Sequence, residues 1–428
     1  MQLYQESDLV RVAKRENNKK RDYLLVNPLQ GKHIPAEPGK VLALFRALAD
    51  TVKAFCEGKH VLVIGFAETA TAIGAQTAVS LGAFYLQTTR EEVEGAQYLN
   101  FSEEHSHAVQ QRLVKNHLDR VMARTELVIF AEDEVTTGNT ILNLIDVMKK
   151  EYPGEREYAA ASILNGMDKD ALAVYERRNI RLFYLVKTDH AAYSQMLRQY
   201  TQKGEYISFM QQENGGRYSS REAERNKTER NTVCQSAGSQ GLERKEMEET
   251  GRCRTARDSG EKKAEHGKGN QRAYTVQEFS AGGWVDARQL VSAADYEKAC
   301  RYLVKQTKEF LHGGLSGSIL VLGTEEFMYP ALLMAEHLEK AGAQVWFHAT
   351  TRSPIAVFKE EQYPLHVRYE LPGCYDKDRR TFVYELASYD AVVIMTDSHS
   401  REQEGIQALV RAVGLKNHKI YVVRWCLS

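Results

Sequence analysis

Hydrophobic positions along this chain fall into short runs that alternate between two periods. Val61-Leu-Val-Ile64 is a β-branched run suited to a buried parallel strand, and Gly65 ends it. Residues 69–81 follow with helical spacing, and Gly82 stands where a C′ glycine stops a helix. The same criteria predict strands at 84–89, 127–131, 158–164 and 180–186, and a helix over 141–148. Strands alternating with helices give βαβ units, hence a mainly parallel sheet covered on both faces.

The pattern returns further along. Ile319-Leu-Val-Leu-Gly323 precedes a helical stretch over 328–340, Gly342, and the strand Gln344-Val-Trp-Phe-His-Ala349. Thr350-Thr-Arg-Ser-Pro354 then stands where the first stretch has Thr88-Thr-Arg-Glu91. Asp390-Ala-Val-Val-Ile-Met-Thr-Asp397 likewise matches Glu126-Leu-Val-Ile-Phe-Ala-Glu-Asp133. The loop glycine and the acidic residue are similarly spaced in both halves, which indicates a diverged internal duplication. Between the halves, residues 211–272 contain no Ile, Phe or Trp, too little apolar surface to offset the entropy of ordering. The expected organisation is an α/β domain over 1–210, a disordered charged linker over 211–272, and a second α/β domain over 273–428.

Composition narrows the function. With 57 basic and 57 acidic residues among 428, the chain lacks the net positive charge of a general nucleic-acid or anionic-membrane binder. The linker's charges are mixed, which suits a solvated tether better than an RNA-binding arm. Six scattered cysteines show no CxxC pair, so neither a zinc knuckle nor a disulfide framework is indicated. No basic leader opens the sequence, and no apolar run reaches the ~18 residues of a membrane span. A soluble, cytoplasmic protein without nucleic-acid or membrane partners is expected.

Chemistry concentrates in Leu127-Val-Ile-Phe-Ala-Glu-Asp-Glu-Val-Thr-Thr-Gly-Asn-Thr140: a strand, two carboxylates, then a small hydroxyl-rich loop opening a helix. Backbone N–H groups at a helix N-terminus attract a phosphate, and Gly138 lets the backbone approach it. Thr136, Thr137, Asn139 and Thr140 complete the cradle. Glu132 and Asp133 end the strand where open α/β sheets bind ligands. Such a pairing suits a sugar phosphate, whose hydroxyls donate to carboxylates while its phosphate takes the N–H groups.

At these residues the sequence resembles the phosphoribosyltransferases of the type I fold, with matches at Glu132, Asp133, Val135, Thr136, Thr137, Gly138 and Thr140. It departs at Ala131, smaller than usual, and at Glu134, charged where an apolar residue is normal. More closely, it resembles a bacterial family joining an orotate-phosphoribosyltransferase-like domain to a C-terminal domain named for Thr351-Arg-Ser-Pro354. Val26-Asn-Pro-Leu-Gln-Gly-Lys-His-Ile-Pro35 fits the same group, and the likeness covers about 20–210 and 274–428. That family is associated with tellurium-resistance and stress gene clusters.

The resemblance implies transfer of a phosphoribosyl group from magnesium-bound phosphoribosyl pyrophosphate (PRPP) to a nitrogenous, nucleobase-like acceptor, with release of pyrophosphate. Glu132 and Asp133 would hold the ribose hydroxyls, Asp133 touching the magnesium through the substrate, and residues 136–140 the 5′-phosphate. Gly65, Phe66, Ala67, Glu68, Thr69 and Arg90 would meet the pyrophosphate. Glu68 is awkward there unless it faces metal or solvent, and it reads equally as a first-turn helix acid. Arg90 reads equally as a surface ion-pair residue. Residues 103–107 belong to the loop that closes over such sites, with His105 and His107 as bystanders. Lys32 and His33, beside Asn27 and Gln30, would form the hood that selects the acceptor, or equally an ordinary polar Pro/Gly turn, and Asp168, with Asn165, would face the acceptor. Thr351, Arg352 and Ser353 would make a small anion site in the C-terminal domain, and Asp397 and His399 form a weaker pair there. A homodimer is the default assembly. The alternative, from a different class, is a non-catalytic PRPP-binding regulator or scaffold, which the extra acids Glu68 and Glu134 favour.

Overall fold

The computed structural model describes residues 3–16, 18, 21–101, 111–210, 262–263, 274–312, 315–399 and 403–426. The linker expectation over 211–272, apart from 262–263, and that for His105 and His107 lie outside the described residues.

The first half opens with a hairpin, β1 (Arg11–Lys14) against β2 (Tyr23–Val26), followed by the long helix α1 (Pro38–Cys56). Next come β3 (Val61–Gly65), α2 (Thr71–Leu81), β4 (Phe84–Gln87), β5 (Leu127–Val135), α3 (Asn139–Glu151), β6 (Glu157–Asn165), α4 (Lys169–Arg177) and β7 (Ile180–Lys187). Gly82 caps α2 with φ 64°, as its position predicted. β5 runs four residues past the expected end: its pairing with β6 continues to Val135 opposite Asn165, so both acids stand on regular strand.

The second half holds β8 (Thr275–Ala281), α5 (Ala293–Phe310), β9 (Ser318–Gly323), α6 (Tyr329–Lys340) and β10 (Gln344–Ala349). It continues with β11 (Val367–Pro372), β12 (Arg380–Tyr384), β13 (Ala391–Thr396), α7 (Glu404–Gly414) and β14 (Lys419–Trp425). Parallel strands order β4-β3-β5-β6-β7 in one sheet and β10-β9-β13-β14-β8 in the other. Four strands of each half thus follow the same winding order, and β3 and β9 sit at equivalent switch points. β11 and β12 form a separate antiparallel pair, with residues 205–208 alongside β11.

The halves also exchange edge pieces. Val291 and Ser292 pair antiparallel with β4 of the first sheet, while Ala36 bridges Phe347 on β10 of the second. One continuous core runs from Phe45 and Leu48 of α1 through Ile73 of α2 to Leu332 and Met334 of α6, all fully buried. A second core fills the far side of the second sheet, from Leu320 and Ile394 to Leu409 and Val413. The two halves are therefore one compact body. No described helix is long and apolar enough to cross a membrane.

Candidate functional site

Three strand ends meet at the switch point of the first sheet. The loop after β3 supplies residues 65–71, the turn after β4 supplies residues 88–91, and β5 runs into the cradle. Strand alternation sends Glu132 and Asp133 to opposite sides of β5. Asp133 faces the β3 loop, where its Oδ1 accepts from Thr69 Oγ1 at 2.9 Å. Burial, then the neighbouring Glu134 charge, raises the Asp133 pKa above its ordinary value. Glu132 lies toward Tyr175 of α4, whose phenol is pushed up by burial and by the Glu132 charge.

The cradle is built around Gly138. At φ 71° it is the N-cap of α3, and its carbonyl accepts from Tyr175 Oη at 3.1 Å. A Cβ there would stand 2.4 Å from Tyr175 Oη and 2.5 Å from Met167 Cε, so only glycine fits. Thr136, Thr137, Asn139 and Thr140 are half-buried, and Asn139 N–H donates to Thr137 Oγ1 at 3.3 Å.

Glu134 is the charged departure from the sequence pattern, and the structure neutralises it. Arg21, just before β2, meets both its oxygens at 2.7 Å. His190 Nε2 lies 3.4 Å from Glu134 but is held near pKa 4 by burial and Arg21, so it is neutral at pH 7. Arg21, Tyr23 and His190 were not legible as site residues. A partner for Glu134 was implied by its charge, but 113 residues separate it from Arg21.

Several expected roles are corrected. Phe66 is a core side chain, and its N–H donates to Ala131 O at 3.1 Å. Ala67 N–H is likewise used within the fold, by Thr88 Oγ1 at 2.8 Å. Glu68 faces neither solvent nor helix end: it is 8% exposed and paired with Lys32 Nζ at 3.2 Å and Arg352 Nε at 3.5 Å. Thr351 Oγ1 (2.6 Å) and Arg352 N–H (2.8 Å) also donate to it. Burial opposes this charge, yet Lys32 and Arg352 lower the Glu68 pKa to about 2.

Lys32 does not face an acceptor. It is fully buried, with Glu325 O and Thr350 O at 3.0 and 2.9 Å. Burial lowers its pKa against the pull of Glu68, and three surrounding oxygens favour the ammonium form. His33 is buried too, neither ring nitrogen has a partner, and burial with Lys32 lowers its pKa to about 3. Asp168 is an exposed N-cap of α4, accepting from Ala171 N–H at 2.8 Å. Asn165 turns inward, its Oδ1 accepting from Met167 N–H at 2.9 Å.

The C-terminal anion site is filled by the protein's own carboxylates. Arg352 pairs with Glu68, Glu91, Glu325 and Glu326, while Ser353 O accepts from Tyr384 Oη at 2.7 Å. Arg90 N–H donates to Glu326 Oε1 at 3.1 Å, and Thr89 Oγ1 to its Oε2 at 2.8 Å. Glu326 thus receives from the first half what Glu68 receives from the second. Asp397, at the position equivalent to Asp133, is occupied by Arg288 at 2.7 and 3.2 Å and by Tyr375 Oη at 2.6 Å. His399 packs edge-on to Trp284 instead. A groove of about 450 Å³ lies between α4 and β7, bordered by Asn165, Tyr175 and Lys187 but by none of residues 65–71 or 132–140.

Among the described residues no group of three or more His, Cys, Asp or Glu could hold a metal ion. Glu132 and Asp133 still fit magnesium that arrives on a diphosphate, since that ion binds through one or two carboxylates plus substrate oxygens.

Residues 9–192 match the family described as phosphoribosyl transferase, and residues 287–413 match the TRSP domain that lies C-terminal to it. No curated protein matches the sequence. Similar solved structures include adenine phosphoribosyltransferase from Rhodothermus marinus at 15% identity and TM-score 0.31, covering 42% of this chain and 96% of that one. Adenine phosphoribosyltransferase from Giardia lamblia, complexed with 9-deazaadenine, gives 18%, 0.30, 42% and 95%. Orotate phosphoribosyltransferase from Aeropyrum pernix gives 14%, 0.29, 45% and 93%.

Proposed function

We infer that this chain is a phosphoribosyltransferase of the family its N-terminal part matches, joined to a TRSP domain, and that it transfers phosphoribose from PRPP to a nitrogenous acceptor. The observation that carries this is the convergence of Asp133, the Thr69 loop and the Gly138 cradle on one switch point. The N–H groups of Thr137, Gly138 and Thr140 hold the 5′-phosphate at the start of α3. Glu132 and Asp133 flank the ribose and accept from its hydroxyls. As pyrophosphate leaves, positive charge grows at C1, and these two carboxylates stabilise it. The N–H groups of Glu68 and Thr69, with the Arg90 guanidinium, meet the departing group. Magnesium bound to PRPP supplies charge neutralisation at the pyrophosphate.

The acceptor nitrogen enters from the side of β1 and β2. There Arg21, Tyr23 and His190 surround Glu134, replacing Lys32 and His33 as the hood residues nearest the chemistry. With Glu68 and Glu134 both paired to cations, the charge argument for a non-catalytic binder falls away. The test is pyrophosphate release from PRPP and magnesium across a panel of nucleobases. Release with at least one base, abolished in Asp133→Asn with an unchanged circular dichroism spectrum, is expected. Full turnover by that variant would refute the site. PRPP binding without release for every base would make the protein a sensor.

A further inference from the structure

The Thr-Arg-Ser-Pro turn gives the C-terminal domain its name, yet it takes no part in the chemistry above. Its contacts run in two directions. On one side Thr351 Oγ1 and Arg352 N–H both grip Glu68 of the pyrophosphate loop, at 2.6 and 2.8 Å. On the other, Pro354 O accepts from Glu16 N–H at 3.0 Å, Ile355 bridges Arg15, and Ala356 N–H donates to Lys14 O at 2.9 Å. Those last partners belong to the hood hairpin. We propose that residues 351–356 are a brace holding the pyrophosphate loop and the acceptor hood at fixed spacing, with Thr351 and Arg352 as positioning residues of the phosphoribosyl site.

Three observations support the brace. Thr351 and Ile355, one from each attachment, lie four residues apart, so an extended backbone cannot separate them by more than about 14 Å. The turn itself is stiff: Pro354 fixes φ, while Tyr384 Oη donates to Ser353 O at 2.7 Å and accepts from Ile355 N–H at 2.8 Å. The opposite contact repeats the device, because Glu326 holds Thr89 and the Arg90 N–H. Both elements of the first half that face the pyrophosphate are thereby set by the second half. A loop already held in its binding position loses less freedom when PRPP is bound, which is why a brace matters here.

This inference rests on the proposed function for its catalytic consequence, and its test separates the two. Thr351→Val keeps the side-chain shape and removes the donor to Glu68. Expected are a rise in KM for PRPP on the order of tenfold, the scale of one hydrogen bond to a charged acceptor, and a kcat changed less than about twofold. Amide hydrogen exchange should quicken at residues 66–70 and stay unchanged at residues 127–130. Thr351→Ser should restore both readouts. Unchanged exchange in the loop overturns the brace, as does a fall in kcat with KM unaltered. Should Thr351→Val fail to fold, Glu68→Gln carries the same exchange prediction and the same refutation. If the wild type shows no PRPP turnover, the proposed function fails, and loop exchange alone still decides whether the brace exists.

Discussion

Replacing Gly138 by alanine tests whether the phosphate cradle is as tightly built as its geometry indicates. Two costs act together. A left-handed backbone at φ 71° costs an L-residue roughly 1–2 kcal/mol. The new methyl would also lie 2.4 Å from Tyr175 Oη and 2.5 Å from both Tyr175 Cε2 and Met167 Cε, an overpacking worth about 1–3 kcal/mol. The expected loss is therefore about 2–5 kcal/mol, read from urea denaturation followed by circular dichroism. Tyr175→Phe deletes the nearest clashing atom but leaves the ring carbon, so the double variant should be destabilised by less than the sum of the two. PRPP protection against thermal unfolding should fall in parallel, because α3 must shift to admit the methyl. A Gly138→Ala protein within about 0.5 kcal/mol of wild type would refute the packing argument and the cradle with it.

Two other outcomes follow from the charges. The Glu68 carboxyl has a folded pKa of about 2 against an ordinary 4.5, so its stabilising effect is fully present above pH 4.5 and is lost as pH falls toward 2. That difference corresponds to about 3 kcal/mol, and the stability gap between wild type and Glu68→Gln should close over this range; a gap independent of pH would contradict the pairing. Arg21→Ala removes the cation that meets both oxygens of Glu134, leaving His190 as its neighbour. Because the pair is partly exposed, a double-mutant cycle with Glu134→Ala should return about 1–2 kcal/mol of coupling, whereas none would mean solvent already screens it.

Much of this architecture was legible in the chain because βαβ units announce themselves locally. Val61-Leu-Val-Ile64 ending at Gly65, or residues 71–81 closed by Gly82, need no distant information. The extension of β5 through Glu132 and Asp133 was missed, because charged residues read as loop until β6 supplies partners. Lys32 and Arg352 were misplaced for one reason. Each is satisfied by a group from the other half, and Thr351 lies 283 residues from the Glu68 it grips. A signal did exist: Gly65-x-x-Glu68 and Gly323-x-x-Glu326 repeat, as do Thr88-Thr-Arg90 and Thr350-Thr-Arg352. Two copies of an acid facing two copies of a hydroxyl-arginine turn predict a reciprocal exchange. Reading each half alone concealed it.

The exchange of Glu68 and Glu326 across the two halves has an evolutionary corollary. A subunit that meets an identical copy must satisfy every requirement twice with a single sequence, so no residue can specialise for one side. Fusing the copies lifts that restriction. Here the first half carries the threonine-glycine loop, while in the second the position matching Asp133 is taken by the Arg288–Asp397 pair. Because the support travels on the same polypeptide, dilution cannot strip it away.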